Sequence, residues 1–398
     1  MLLNNFKVSG FKVFGSTVEI NMVPQTKNLR SLEENLIING QKKHIKSSLL
    51  YGGNNTGNSS LLDAFKIFKM IVSKGNIDHF PFDILKNFTY GAQNIEFEVS
   101  FFDEKKTYTY GIEFNETGSL GEYIFVEEEL FLSRERDGFI EGILVENNLK
   151  LKNRIEELQK DKLIVTFINE YVVNPETDVF RKIKIFFDKL VFLDDVEKNV
   201  IMNSDIMAFI SDKNKMSILN KLLESTEVHV AKRTLEDESY VLNNEHYLRH
   251  LDKNQIDRLK GAKLLDALRM VSYYPSESGN LVAKPSILFD SIGTNKFIVM
   301  SMYVINAILN RQILFIDEID NSLHYKITRA LIILMNSNLN NGAQFIMTTH
   351  DVKLLSQQLL RKDQINFVIR NEEKVTIVSL DDFKANSFKD IRSDSNFE

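Results

Sequence analysis

Gly52-Gly53-Asn54-Asn55-Thr56-Gly57-Asn58-Ser59-Ser60 has the spacing of a phosphate-binding P-loop, G-x-x-x-x-G-K-[ST], with asparagine at position 58 where the motif carries lysine. An apolar run, Ser48-Leu49-Leu50-Tyr51, precedes it and predicts a strand. A helical pattern follows from Leu61 to Val72, with Leu61, Leu62, Phe65 and Phe68 on one face. Strand, loop and helix in that order are the context in which the motif has physical meaning. Glycines let successive backbone N–H groups wrap phosphate oxygens at a helix N-terminus, where the helix dipole favours negative charge. Gly52, Asn54, Asn55, Thr56, Gly57, Asn58, Ser59 and Ser60 are therefore the candidate cradle, and the Ser59 hydroxyl is a candidate ligand of Mg²⁺. The plainer reading is a turn with Asn and Gly at left-handed positions.

Two further segments favour the cradle. Gln312-Ile313-Leu314-Phe315-Ile316 is wholly apolar before Asp317-Glu318, as expected of a strand buried on both faces of a parallel sheet. Carboxylates at the C-terminal end of such a strand stand where open α/β sheets bind ligands. Asp317 is placed to support the metal and Glu318 to polarise an attacking water. An acid pair capping a helix after a core strand is the structural alternative. Gln344-Phe345-Ile346-Met347-Thr348-Thr349 is a second apolar strand, ending in His350. An imidazole there offers both a donor and an acceptor to a terminal phosphate or its water. Finally, Ser291-Ile292-Gly293-Thr294 opens an apolar helix from Phe297 to Leu309, giving a second anion-ready N-terminus that could equally be a simple cap.

Composition bounds the rest. At 398 residues the chain is long enough for two or three core-forming units. A hydrophobic share of 43% with 26% charged residues is that of a water-soluble globular protein. No apolar run is read as reaching bilayer-spanning length, and the N-terminus lacks the pattern of a signal peptide. With no cysteine there is neither a disulfide framework nor a thiolate metal site, so a cytoplasmic location is expected, with no membrane partner. The seven histidines show no metal-ligand spacing. A net charge of −6 gives no global field for nucleic acid, although a local basic surface stays open.

Three stretches differ in texture. Residues 1–140 alternate with a period of two: Phe6-Lys7-Val8 against Thr17-Val18-Glu19-Ile20, then Ile95–Val99, Tyr108–Ile112 and Tyr123–Val126, predicting an antiparallel sheet. Residues 141–270 carry helical spacing, as in Leu149, Leu151, Ile155 and in Ile183, Phe186, Phe187, and predict a helical insertion without sustained heptads. Residues 271–398 return to α/β with the acid-bearing and histidine-bearing strands. The fold class expected is α/β, a P-loop NTPase head with an antiparallel β subdomain and a helical insertion.

The order P-loop, insertion, Ser-x-Gly-Thr, Asp-Glu strand, strand-His resembles the RecF/SMC-like, ABC-type AAA ATPases of bacterial abortive-infection and anti-phage systems, related to the overcoming-lysogenization-defect ATPases. The likeness extends to Phe6–Phe14, to Tyr108-Thr109-Tyr110-Gly111 and to Asp317–His324. It implies an ABC-type head that sandwiches ATP and Mg²⁺ between two subunits of a homodimer or higher even oligomer. Asp317 and Ser59 then serve the metal, Glu318 is the general base, and His350 is the switch residue. Ser291, Gly293 and Thr294 act on the nucleotide held by the other subunit. Relatives commonly work beside a separately encoded effector, often a nuclease. Asn58 departs from the pattern: a charge-assisted contact of roughly 1.5–3 kcal/mol is missing, which fits either a naturally slow site or a deliberately blocked one. A second departure is the Q-loop: Gln93 is the one candidate between the P-loop helix and the β-rich run, and it is a weak match. Competing readings are a RecF-like DNA-maintenance ATPase that clamps DNA on nucleotide binding, and a nucleotide-free scaffold.

Overall fold

The computed structural model describes residues 1–25, 32–53, 56–78, 80–87, 91–146, 148–171, 178–193, 204–226, 228, 230–237, 239–240, 269–371 and 374–383. By packing, the chain divides into two compact units. One comprises Met1–Phe192, Arg311–Glu318 and Asn336–Glu398; the other comprises Leu193–Asn310 and Ile319–Met335.

In chain order the first unit begins with β1 (Leu2–Ser9), β2 (Val18–Asn21), the hairpin β3 (Leu36–Asn39) and β4 (Lys42–Ile45), then β5 (Ser47–Tyr51) and the helix α1 (Asn58–Lys74). Five strands follow: β6 (Asn94–Asp103), β7 (Lys106–Asn115), β8 (Leu120–Val126), β9 (Glu129–Arg134) and β10 (Ile140–Glu141). Together with β1 and β2 they form a seven-stranded sheet of order β10-β9-β8-β7-β6-β1-β2. Every pairing in it is antiparallel, as the period-two alternation requires. Helices at Leu149–Glu156, Ile164–Tyr171 and Asp178–Asp188 lie in the same unit, before β11 (Leu190–Leu193).

The chain later returns to build the second sheet of this unit from β15 (Ile313–Ile316), β16 (Gln344–Thr349), β17 (Ile365–Arg370) and β18 (Val375–Ser379), in the order β11-β15-β16-β5-β17-β18. The strands β15, β16, β5 and β17 run parallel, while β18 turns back antiparallel. Every residue of β15 and β16 is buried, which is why both read as unbroken apolar runs.

Helix α1 joins the two sheets. Phe65 stacks on Phe6 of the antiparallel sheet at 3.7 Å between ring centroids, and packs on Phe315 of the parallel sheet at 4.6 Å. One turn on, Phe68 meets Phe97, Tyr110 and Phe187. A helix wedged by aromatic rings on two sides has little freedom to rotate or slide, so its first turn is held in place.

The second unit holds helices at Ser204–Ser211 and Lys213–Glu224 and an antiparallel sheet of β12 (Lys232–Leu235), β13 (Met270–Pro275) and β14 (Leu281–Pro285). It also holds the long helix Ile292–Asn310. That helix corrects one expectation: an 18-residue window of its 19 residues reaches a mean hydropathy of 1.4, enough by length and composition to cross a bilayer. Since 67% of the apolar window is buried inside the fold, it is a core helix whose apolar surface is spent on packing.

Candidate functional site

Three neighbouring parallel strands carry the site because their C-terminal ends point the same way. The P-loop follows β5, Asp317-Glu318 follow β15 and His350 follows β16, the strand between them in the sheet. The register pairs Thr349 with Tyr51 and Ile316 with Met347, so β5 and β16 end level and β15 ends two residues before them. This is the crevice beyond the carboxyl ends of the strands where open α/β sheets take their ligands.

At the loop itself, Gly57 is the residue before α1, left-handed at φ 119°, and among the described residues no side chain caps the helix. The first-turn N–H groups are therefore open to an anion. A Cβ on Gly52 would sit 2.5 Å from Thr56 Oγ1 and 2.7 Å from Asn58 Oδ1, so a larger residue there would displace both side chains. Thr56 Oγ1 donates to the Gly53 carbonyl at 2.8 Å, closing the turn. Asn58 does not reach outward as a lysine would. Its side chain is buried and folds back, Nδ2 donating to the Gly52 carbonyl at 3.1 Å. Ser59 is exposed and Ser60 half-buried in the first turn of α1. Asn54 and Asn55 lie outside the described residues.

The metal-side groups converge as a set. Ser59 Oγ donates to Asp317 Oδ1 at 3.1 Å, joining the loop to the acid-bearing strand. Thr348 Oγ1 donates to the same oxygen at 2.6 Å and accepts the Glu318 N–H at 2.7 Å. Glu318 is held at φ +49°, a left-handed conformation uncommon for a non-glycine residue. The Thr348 bond holds its backbone, and His350 Nε2 lies 4.0 Å from Glu318 Oε1. Both side chains remain accessible, at 47% and 40% exposure. An accessible carboxylate beside an imidazole at a strand end can hold and orient a water.

Thr348 is the residue of this cluster that sequence reasoning missed. Its only signal was a hydroxyl near the end of an otherwise apolar strand, two residues before His350.

Ser291, Gly293 and Thr294 belong to the second unit. Ser291 Oγ accepts the Thr294 N–H at 3.0 Å and lies 3.0 Å from Thr294 Oγ1, capping the helix Ile292–Asn310. A Cβ on Gly293 would come within 2.9 Å of the Ser322 carbonyl, so this close approach demands glycine. The residue just before the cap, Asp290, is fully buried and bonded to Arg233 Nη2, Ser272 Oγ and Tyr274 Oη.

The residues present fit a magnesium–phosphate group. Ser59 and Asp317 supply two adjacent oxygens of the kind the ion takes, and a helix N-terminus is the kind of site that takes phosphate. The charge of the motif's lysine is absent.

A family model described as "AAA domain, putative AbiEii toxin, Type IV TA system" matches residues 47–356, a span running from β5 past His350. The chain belongs to this family. Its P-loop, Asp-Glu strand and strand-His all fall within the matched region of this AAA domain. A comparison with curated proteins finds no match. Among solved structures, the SMC head domain from Thermotoga maritima is similar at 13% identity and a TM-score of 0.48, covering 95% of this chain and 99% of that one. An SmcHead bound to the C-winged helix domain of ScpA gives 13% identity and 0.48, with 98% and 100% covered. An Smc head domain with an extended coiled coil, bound to the C-terminal domain of ScpA derived from Pyrococcus furiosus, gives 12% and 0.46, with 98% of each chain covered.

Proposed function

We propose that this AAA domain protein is the ATP-binding, slowly hydrolysing subunit of a bacterial anti-phage defence complex, working with a separately encoded effector. One observation carries the reading: the open N-terminus of α1, the Ser59–Asp317 pair, Glu318 and His350 all meet at the ends of three adjacent parallel strands. The phosphates would lie against the first turn of α1, with Mg²⁺ beside Ser59 and Asp317. Bound magnesium would neutralise charge on the phosphate oxygens. Glu318 would take the proton of the attacking water, and His350 would orient that water or the terminal phosphate. Ser291, Gly293 and Thr294, carried on the second unit, would complete the site of a second copy, giving a head-to-tail homodimer. The toxin and toxin–antitoxin terms in the family's description support the defence role.

Equilibrium binding of ATP with Mg²⁺ to the purified chain tests the reading. Saturable binding that is lost on Gly57→Arg is expected. Absence of binding, or binding untouched by Gly57→Arg, would remove the nucleotide site. Salt-sensitive capture of duplex DNA only when ATP is present would favour the DNA-clamp reading over the effector complex.

A further inference from the structure

The loop that lacks its lysine holds an unsatisfied oxygen in the same place. Asn58 is only 6% exposed, and with Nδ2 committed to the Gly52 carbonyl, its Oδ1 is buried with no hydrogen-bond partner among the described residues. A buried acceptor left unpaired is costly and calls for an explanation. Asn58 Oδ1 lies 2.7 Å, and Thr56 Oγ1 2.5 Å, from the point a Gly52 Cβ would occupy, so both oxygens crowd one concavity of the loop. The Thr56 hydroxyl hydrogen is committed to the Gly53 carbonyl, which leaves its lone pairs to accept.

Two neutral oxygens with no proton to offer, beside an anion site short of one positive charge, describe a cation site. Mg²⁺ favours carboxylates and keeps its waters, and no group of three or more His, Cys, Asp or Glu residues is arranged for a metal among the described residues. Neutral carbonyl and hydroxyl oxygens are instead the ligands that replace the hydration shell of an alkali ion. Lys12 does not fill the gap. Its neighbour Val13 lies against Gly57, but the Lys12 ammonium is paired with Asp63 Oδ2 at 2.5 Å.

We propose that Asn58 Oδ1 and Thr56 Oγ1 bind potassium together with the phosphate oxygens of the nucleotide, and that this ion supplies the charge the missing lysine would have carried. The inference rests on the nucleotide reading of the same loop. Because ion and nucleotide share ligands, each tightens the binding of the other by the same factor.

The test is equilibrium binding of a fluorescent, non-hydrolysable ATP analogue at fixed Mg²⁺ and ionic strength, in potassium chloride or N-methyl-D-glucamine chloride. The native chain binds at least about tenfold tighter in potassium. Asn58→Lys, which carries its own charge, binds equally in both salts. Thr56→Val, which removes one oxygen and leaves α1 untouched, loses most of the potassium advantage. Equal affinity of the native chain in the two salts overturns the proposal, as does a potassium advantage undiminished in Asn58→Lys. Failure of both the native chain and Asn58→Lys to bind the analogue in either salt overturns the nucleotide reading itself, and is thereby told apart from failure of the ion site alone.

Discussion

Asn58 sits where an ammonium would meet the phosphates, and its amide brings no net charge there. In potassium-free buffer, single-turnover hydrolysis by the native chain is accordingly expected to be slow, and Asn58→Lys to raise it about tenfold or more, since preorganised charge matters most where charge develops in the transition state. An unchanged rate would mean that other charge already fills the role. Thr348 makes a separate prediction. Its hydroxyl orients Asp317 and pins the Glu318 backbone, so Thr348→Val should lower turnover about tenfold with little change in nucleotide affinity, as loss of a supporting bond around a metal ligand does. Asp317, Glu318 and His350 were legible in the sequence because each ends an apolar run, where a polar residue is conspicuous. Thr348 was not, because a threonine inside a strand usually reflects β propensity. The inward fold of Asn58 was equally invisible, since motif spacing says where a residue stands and nothing of where its side chain turns.

At the scale of elements, the strands and α1 followed from periodicity, and the parallel sheet followed from unbroken apolar runs. The helix expected from Phe297 begins at Ile292, because its first turn is set by the Ser291 cap and is exposed rather than apolar. The small sheet β12-β13-β14 escaped reading altogether: Lys232-Arg233-Thr234-Leu235 looks like surface, yet Arg233 is buried against Asp290. Breaking such a pair strands a buried charge, so Arg233→Ala should destabilise the second unit by about 3–5 kcal/mol, read from denaturant unfolding. Arg233→Met with Asp290→Leu should recover much of the loss. In the first unit, His44 of β4 is buried beside Asn4 Oδ1 at 2.8 Å. Desolvation first, then the nearby Lys42 and N-terminal charges, push its pKa from 6.5 down to about 4. Its folded pKa lies below its unfolded one, so the unfolded chain takes the proton first, and stability present above pH 6.5 is lost as pH falls toward 4. Thermal melting across that window should fall less steeply for His44→Phe.

For the molecule as a whole, the question is what the two units do when nucleotide binds. The turn beyond the helix Leu149–Glu156 presents Glu156, Glu157 and Lys160 to solvent. Should the effector dock there, charge reversal at these three residues weakens its co-purification while ATP binding stays intact. An effector retained by that triple variant but released by changes around Tyr108–Val126 would place the docking surface on the antiparallel sheet. Assembly is the least legible level, because a sequence lists the P-loop and the Ser-x-Gly-Thr cap without saying whether one copy or two complete the site. The measurement that bears on this most directly is light scattering of the Glu318→Gln variant with and without ATP and Mg²⁺. In that variant the proposed base is lost, and bound nucleotide is expected to persist. The expected result is a doubling of mass with ATP that Ser291→Arg abolishes without unfolding the chain; a protein that stays monomeric at every concentration, with nucleotide demonstrably bound, would contradict it.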